Sequence, residues 1–139
     1  MESNMVLTGD ALSVLRGIPD NSVQCCVTSP PYWGLRDYGV EGQLGQERTP
    51  DFYVAKLVEI FYEVRRVLKE DGVLWLNLGD TYVGSNQNYG RKPNPLSLQS
   101  SNRGSLTFLT KAPVNARVPG LKPKDLVGIP WWVAFALRN

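Results

Sequence analysis

Apolar residues fall into short runs whose spacing alternates between that of strands and that of helices. Met5 to Thr8 reads as a short strand. Ala11 to Arg16 reads as a short helix with Leu12 and Leu15 inward, capped by Asp10 and ended by Gly17. After the turn Ile18-Pro19-Asp20-Asn21, the small and β-branched side chains of Val23, Cys25, Cys26 and Val27 suit a strand covered on both faces. The clearest helix opens at Thr49-Pro50-Asp51, with Thr49 as cap and Pro50 in the first helical position. Tyr53, Leu57, Ile60, Phe61, Val64 and Leu68 recur at helical spacing as an inward stripe; Lys56, Glu59, Glu63 and Arg66 lie outward, and Gly72 supplies the stop. Val73 to Leu78 is a second buried strand. A strand-helix-strand unit of this kind places its two strands parallel and adjacent, so their carboxyl ends, Ser29-Pro30 and Gly79-Asp80, should open onto one crevice. The last apolar segment, Leu126 to Leu137, reads as a packed helix started by Asp125, with Pro130 limiting regular hydrogen bonding before Trp131. The pattern predicts a single α/β domain with a parallel sheet core.

The first central strand ends abruptly in Thr28-Ser29-Pro30-Pro31-Tyr32-Trp33. Proline has no N–H, so Pro30 and Pro31 stop the ladder and leave carbonyl acceptors without competing donors. Ser29 Oγ and a rigid row of acceptors thus arrive at a sheet end beside the faces of Tyr32 and Trp33. That chemistry suits a planar ring carrying an exocyclic amine. The amine lone pair is conjugated into the ring and attacks poorly unless acceptors hold both N–H bonds; Ser29 and the Pro30 carbonyl supply two, while Tyr32 stacks on the ring as aromatics do with a flipped base. An aromatic edge also suits a sulfonium cation. The plain alternative is an ordinary rigid loop. The Gly-rich stretch Gly34 to Arg48 lacks the strand-turn-helix context of a phosphate cradle and reads as a lid. Within it, Arg36, Asp37 and Tyr38 either touch substrate or form a local ion pair with packing. Asp80 either shapes the base pocket or starts the next turn.

Composition removes several chemistries. The 139 residues contain no histidine and two cysteines, so serine-histidine catalysis is excluded and a metal site of the usual zinc kind is not expected. Cys25 and Cys26 point to opposite faces of a strand and are expected as reduced core residues. No apolar run approaches a membrane span, and Met1-Glu2-Ser3-Asn4 lacks the basic start of a secretory signal, so a cytoplasmic protein without a membrane partner is expected.

Charge, by contrast, adds a candidate surface. The net charge of +2 hides a segregation: Thr81 to Lys124 holds seven basic residues and no acidic one, while the remainder holds eight basic and thirteen acidic. Arg91, Lys92, Arg103 and Lys111 in the loop at 84–120 are therefore expected to contact DNA phosphates, with Asn86, Asn88, Gln99 or Asn102 reading base edges; a solvated linker is the plain alternative.

Thr28-Ser29-Pro30-Pro31-Tyr32-Trp33-Gly34-Leu35-Arg36-Asp37-Tyr38-Gly39 resembles the catalytic motif of the amino-group DNA methyltransferases, which methylate cytosine N4 or adenine N6 with S-adenosylmethionine. Gly9-Asp10, Asn77-Leu78-Gly79-Asp80 and Lys124-Asp125-Leu126 extend the resemblance over nearly the whole chain apart from the loop after Asp80. It implies a Rossmann-like S-adenosylmethionine methyltransferase fold and duplex DNA as substrate, in an enzyme of bacterial or phage type. It further implies Ser29, Pro30, Pro31 and Tyr32 as catalytic, Asp10 and Thr28 at the cofactor, and Trp33 and Asp80 lining the base pocket. Asp10 would accept from the cofactor's adenine amine, beyond or instead of capping its helix. Related enzymes acting on glutamine amides carry Asn where this chain has Ser29, which favours the DNA branch; within that branch serine leans toward cytosine N4, although adenine enzymes also carry it.

The Phe-x-Gly-x-Gly turn usual in this fold does not occur in the sequence. The chain accordingly looks like the amino-terminal portion of a permuted enzyme, with the fold incomplete, little methyl transfer of its own, and a missing carboxyl-terminal part or another copy of the chain as partner. A non-catalytic module binding DNA or a partner is the alternative; an enzyme acting on RNA or a protein amide is a further one.

Overall fold

The computed structural model describes residues 4–84 and 118–138. A short helix α1 (Ala11–Arg16) precedes strand β1 (Val23–Thr28), helix α2 (Pro50–Val67), strand β2 (Leu68–Leu76) and helix α3 (Ile129–Arg138). β1 and β2 pair in parallel, as a strand-helix-strand unit requires. The expected strand at Met5 to Thr8 is not formed: the segment is irregular, and Met5, Val6 and Leu7 are exposed. No described strand lies beside it, and an isolated strand cannot satisfy its own backbone groups.

α2 organises the core. Tyr53, Leu57, Phe61 and Val64 are buried as the helical spacing predicts, joined by Val54 and Val67. Cys26, Leu74, Leu76 and Leu78 pack against this stripe, as do Ile129 and Val133 of α3. The start of α2 matches expectation, with Thr49 as N-cap and Pro50 just inside the helix. Its end does not. Leu68 turns extended at φ −68°, ψ 140°, and β2 begins at once, so Gly72 lies inside the strand and does not stop the helix. A Cβ on Gly72 would lie 2.9 Å from the Lys69 carbonyl oxygen, so the chain doubles back closely there. The ladder accordingly jumps from Val23 beside Leu68 to Cys25 beside Val73.

The sheet differs from expectation in its cover. Cys26 and Leu74 face the core, but Cys25, Val27, Val73 and Trp75 are exposed, so among the described residues only one face of β1 and β2 is packed. Both cysteines are free, as expected, and Cys25 is an exposed residue outside the core. Partial burial, then the neighbouring Cys25, pushes the Cys26 thiol above its usual pKa.

Two polar residues tie the elements together. Arg66, expected outward on α2, donates to the carbonyls of Leu15 at 2.8 Å and Ile18 at 2.9 Å, and pairs with Asp20 and with Glu63 at 2.7 Å. It thereby ties α2 to carbonyls at and just beyond the end of α1, of which Leu15 O also accepts from Ile18 N at 2.9 Å. Asp80 spans a longer gap. Its Oδ1 accepts from Thr81 N at 2.8 Å and Ile129 N at 3.0 Å, and both its oxygens take Gly128 N at 3.0 Å. Asp80 therefore caps α3, the task expected of Asp125. Asp125 instead accepts from Lys122 N at 3.1 Å and Nζ at 2.6 Å. The helix consequently starts at Ile129, three residues later than the apolar run. Leu126 and Val127 pair with the 81–83 segment, through the Tyr82–Leu126 bridge and Val127 N to Thr81 O at 2.9 Å. Pro130 is accommodated in the first turn of α3, where no ladder donor is required.

Candidate functional site

β1 delivers the Ser29 turn to the carboxyl end of the sheet. Asn77 N donates to Thr28 O at 2.9 Å, the last rung before the prolines. Ser29 is exposed, and its Oγ shares a hydrogen bond with Tyr32 Oη at 3.2 Å. Among the described residues none donates to the Pro30 carbonyl. Pro31 O, by contrast, accepts from the Tyr53 hydroxyl at 2.8 Å. Burial, the Glu47 carboxylate and the adjacent Tyr32 push the Tyr53 phenol far above its usual pKa, so it remains a donor.

Two glycines let the turn close on its neighbours. A Cβ on Gly79 would lie 2.6 Å from both Cδ2 and Cε2 of Tyr32, so the backbone after β2 lies directly against the half-buried ring. A Cβ on Gly45 would lie 2.8 Å from Tyr32 O, and Gly45 also has φ +91°, a region that favours glycine. Gly45 O accepts from Gly34 N at 2.8 Å, folding the glycine-rich loop back on the turn. The two strand ends thus lie side by side, with Gly79 against Tyr32, as the parallel topology predicts.

That glycine-rich loop is pinned by side chains whose role sequence reasoning missed. Gln43 Oε1 accepts from Tyr38 N at 2.6 Å, and the amides of Gln43 and Gln46 donate to Arg36 O at 3.1 and 2.9 Å. Asp37 accepts from Gly39 N at 2.8 Å, while the Arg36, Asp37 and Tyr38 side chains lie exposed. Glu47 is buried: Oε2 accepts from Gly45 N at 2.8 Å, and Oε1 faces Lys56 Nζ at 3.4 Å.

Of the residues expected at the site, Ser29, Pro30, Pro31 and Tyr32 come together with Gly79. Trp33 does not join them as a pocket wall. It is 1% exposed, packed in the core, with its indole N–H donating to Glu47 O at 2.9 Å. Asp80 serves as the cap of α3, its carboxylate engaged by three backbone donors. Asp10 is exposed and caps α1, its Oδ1 accepting from both N and Oγ of Ser13 at 3.0 Å. These bonds hold its carboxyl below the usual range, the Ser13 backbone contributing most. Thr28 is half-buried at the end of the ladder. Arg91, Lys92, Arg103 and Lys111, with nearly all of the loop expected to contact DNA, lie outside the described residues.

Tyr53 was legible only as part of a stripe. The available signal is chemical: a tyrosine among aliphatic core positions must find a partner for its hydroxyl. Tyr53→Phe removes the donor to Pro31 and is expected to cost about 1 kcal/mol. Urea unfolding should show a lower midpoint at unchanged slope; an unchanged midpoint would mean that the hydroxyl does not hold the turn.

Comparison with known proteins fits this arrangement. Residues 23–124 match the family described as DNA methylase. The Type II methyltransferase M.XycI of Xanthomonas campestris pv. cyanopsidis is 49% identical over 100% of this chain and 43% of its own length. M.Cfr9I of Citrobacter freundii is 50% identical over 94% of this chain and 40% of its own length. M.SmaI of Serratia marcescens is 43% identical over 100% and 46% respectively. The chain therefore spans less than half the length of these curated relatives.

Proposed function

The chain belongs to the DNA methylase family, and from that premise we propose that it carries the base-binding part of a DNA methyltransferase acting on an exocyclic amine, cytosine N4 or adenine N6. The observation that carries this reading is the Ser29 turn held against Gly79 at the shared strand ends. Ser29 Oγ and Tyr32 Oη share one hydrogen bond, and whichever hydroxyl donates, Oγ keeps a lone pair to accept from an amine N–H. The Pro30 carbonyl supplies a second acceptor. With both N–H bonds held, the nitrogen is drawn out of conjugation and its lone pair is freed for attack; the proton it sheds afterwards passes to water. Tyr32, backed by Gly79 and half-buried, offers the ring on which the extruded base stacks.

S-adenosylmethionine, when bound, supplies the methyl carbon on a sulfonium whose sulfur keeps the bonding pair. Asp10 Oδ1 is occupied by Ser13, which leaves Oδ2 as the acceptor for an adenine amine. The described residues thus fit one edge of the cofactor and no more. The basic stretch from Thr81 to Lys124 is the proposed contact with DNA phosphates, a reading that rests on its charge alone.

The test is a chimera in which this chain replaces the matching segment of the Xanthomonas relative, assayed for transfer of tritiated methyl to duplex DNA. Methylated cytosine N4 or adenine N6 is expected. Tyr32→Ala should reduce transfer roughly 10- to 100-fold, the value of a lost base-aromatic stack. A folded chimera whose activity is indifferent to Tyr32→Ala and Ser29→Ala would refute the assignment.

A further inference from the structure

Glu47 is a buried titratable group that the proposed reaction leaves without a task. Its side chain is 3% exposed. Oε1 makes no hydrogen bond among the described residues and faces the half-exposed Lys56 Nζ at 3.4 Å, while Oε2 accepts from Gly45 N at 2.8 Å. A buried carboxylate favours the folded state only when its oxygens are well engaged, and an apolar side chain of similar volume is often as stable in its place. Core stability alone therefore gives little reason for a carboxylate here. What its oxygens do hold by hydrogen bonding is one loop glycine.

That glycine lies against the Tyr32 backbone. A Cβ on Gly45 would meet Tyr32 O at 2.8 Å, Tyr32 C at 3.4 Å and Pro31 O at 3.5 Å. Gly45 O accepts from Gly34 N at 2.8 Å, so Gly45 touches the chain on both sides of Trp33. The Glu47 main chain is fixed as well, its carbonyl accepting from the buried Trp33 indole at 2.9 Å. Residue 47 is thus joined to the turn twice, through Trp33 and through Gly45. The Tyr32 ring itself rests on Gly79. Tyr32 is accordingly braced at its ring by one glycine and at its carbonyl by another, and Glu47 supplies the acceptor that keeps the second glycine in place.

We propose that Glu47 is a positioning residue, setting the Tyr32 ring for the extruded base by holding Gly45 against the Tyr32 carbonyl. The role rests on the proposed stacking of the base on Tyr32. Without the carboxylate, Gly45 N loses its acceptor, the loop is free to withdraw from Tyr32 O, and the ring gains freedom that stacking must remove. A misplacement of about 1 Å caused by a substitution away from the chemistry costs on the order of 100-fold in rate. The loss should fall on kcat, since affinity for DNA is carried largely by phosphate contacts.

The test uses the chimera with the Xanthomonas relative, measuring kcat and KM for transfer of tritiated methyl to duplex DNA. Glu47→Met keeps the volume and removes both oxygens. It should lower kcat roughly 10- to 100-fold, with KM for DNA and for S-adenosylmethionine unchanged within about twofold. Glu47→Gln retains an acceptor for Gly45 N and should hold kcat within about threefold of the parent. In a Tyr32→Ala background, Glu47→Met should cost less than about threefold further, because a residue acting through the ring then has nothing left to position. If Glu47→Met leaves kcat unchanged, or costs as much without the Tyr32 ring as with it, the positioning role is overturned while the stacking role of Tyr32 stands. Should Glu47→Met fail to fold, Gly45→Ala takes its place: it presses a methyl onto Tyr32 O with the carboxylate intact, and an unchanged kcat there overturns the role equally. A chimera that transfers no methyl, or that is indifferent to Tyr32→Ala, refutes the proposed function and this role with it.

Discussion

Trp33→Ala is expected to lower the unfolding free energy by about 3–5 kcal/mol, the cost of deleting a large aromatic from a closed core. Trp33 is 1% exposed and packs with Tyr53, Leu57 and Phe61 in one cluster, so truncation leaves a cavity that the long helix and the turn cannot both collapse to fill. The indole also donates to Glu47 O, and its loss leaves that carbonyl without this partner. Trp33→Phe keeps most of the volume and should cost distinctly less. Urea unfolding of the two variants separates the core role from the pocket role suggested by sequence. A substrate-lining tryptophan could be truncated with little change in midpoint, and that outcome would return Trp33 to the site.

The second large effect concerns the helix at the other end of the described chain. Asp80→Ala is expected to destabilise by about 2–3 kcal/mol, near or above the top of the range for one helix cap, because one charged acceptor serves three backbone donors. Gly128 N and Ile129 N would lose their acceptor at the start of α3, and the junction after Gly79 would loosen. Asp80→Asn retains one acceptor oxygen without the charge and should lose less. The difference is read as a shift in urea midpoint with unchanged slope, accompanied by loss of helical signal from α3. If Asp80→Ala unfolds at the wild-type midpoint, the cap does not hold α3. Because Gly79 is the next residue and backs the Tyr32 ring, the same loosening should reach the proposed base-stacking surface.

Much of this molecule was legible in advance, for definite reasons. The stripe from Tyr53 to Val64 repeats at helical spacing, and a buried helical face requires that spacing; Thr49-Pro50 marks its start for equally local reasons. The parallel pairing of β1 and β2 follows from the helix between them. The arrest at Pro30 follows from two residues without N–H groups. Match of residues 23–124 to the DNA methylase family agrees with what the Ser29 to Trp33 motif implied.

Other features were not legible, because they are relations between segments that periodicity does not link. Asp80 finds Gly128 across 48 residues, and nothing near Asp125 announces that the cap will come from elsewhere. Arg66 reads as an outward charge by spacing, yet α1 ends close enough for it to take two carbonyls. Trp33 follows Tyr32 in the motif, but the chain reverses between them, leaving one ring against Gly79 and the other in the core. Sequence by itself determined the start and buried stripe of α2, the parallel order of β1 and β2 and the acceptor-rich turn, since each depends on the conformational limits and spacing of neighbouring residues. Tertiary structure alone decided which side chains close the turn, which carboxylate caps α3 and which sheet face is bare, because those outcomes depend on distances set only once the segments pack.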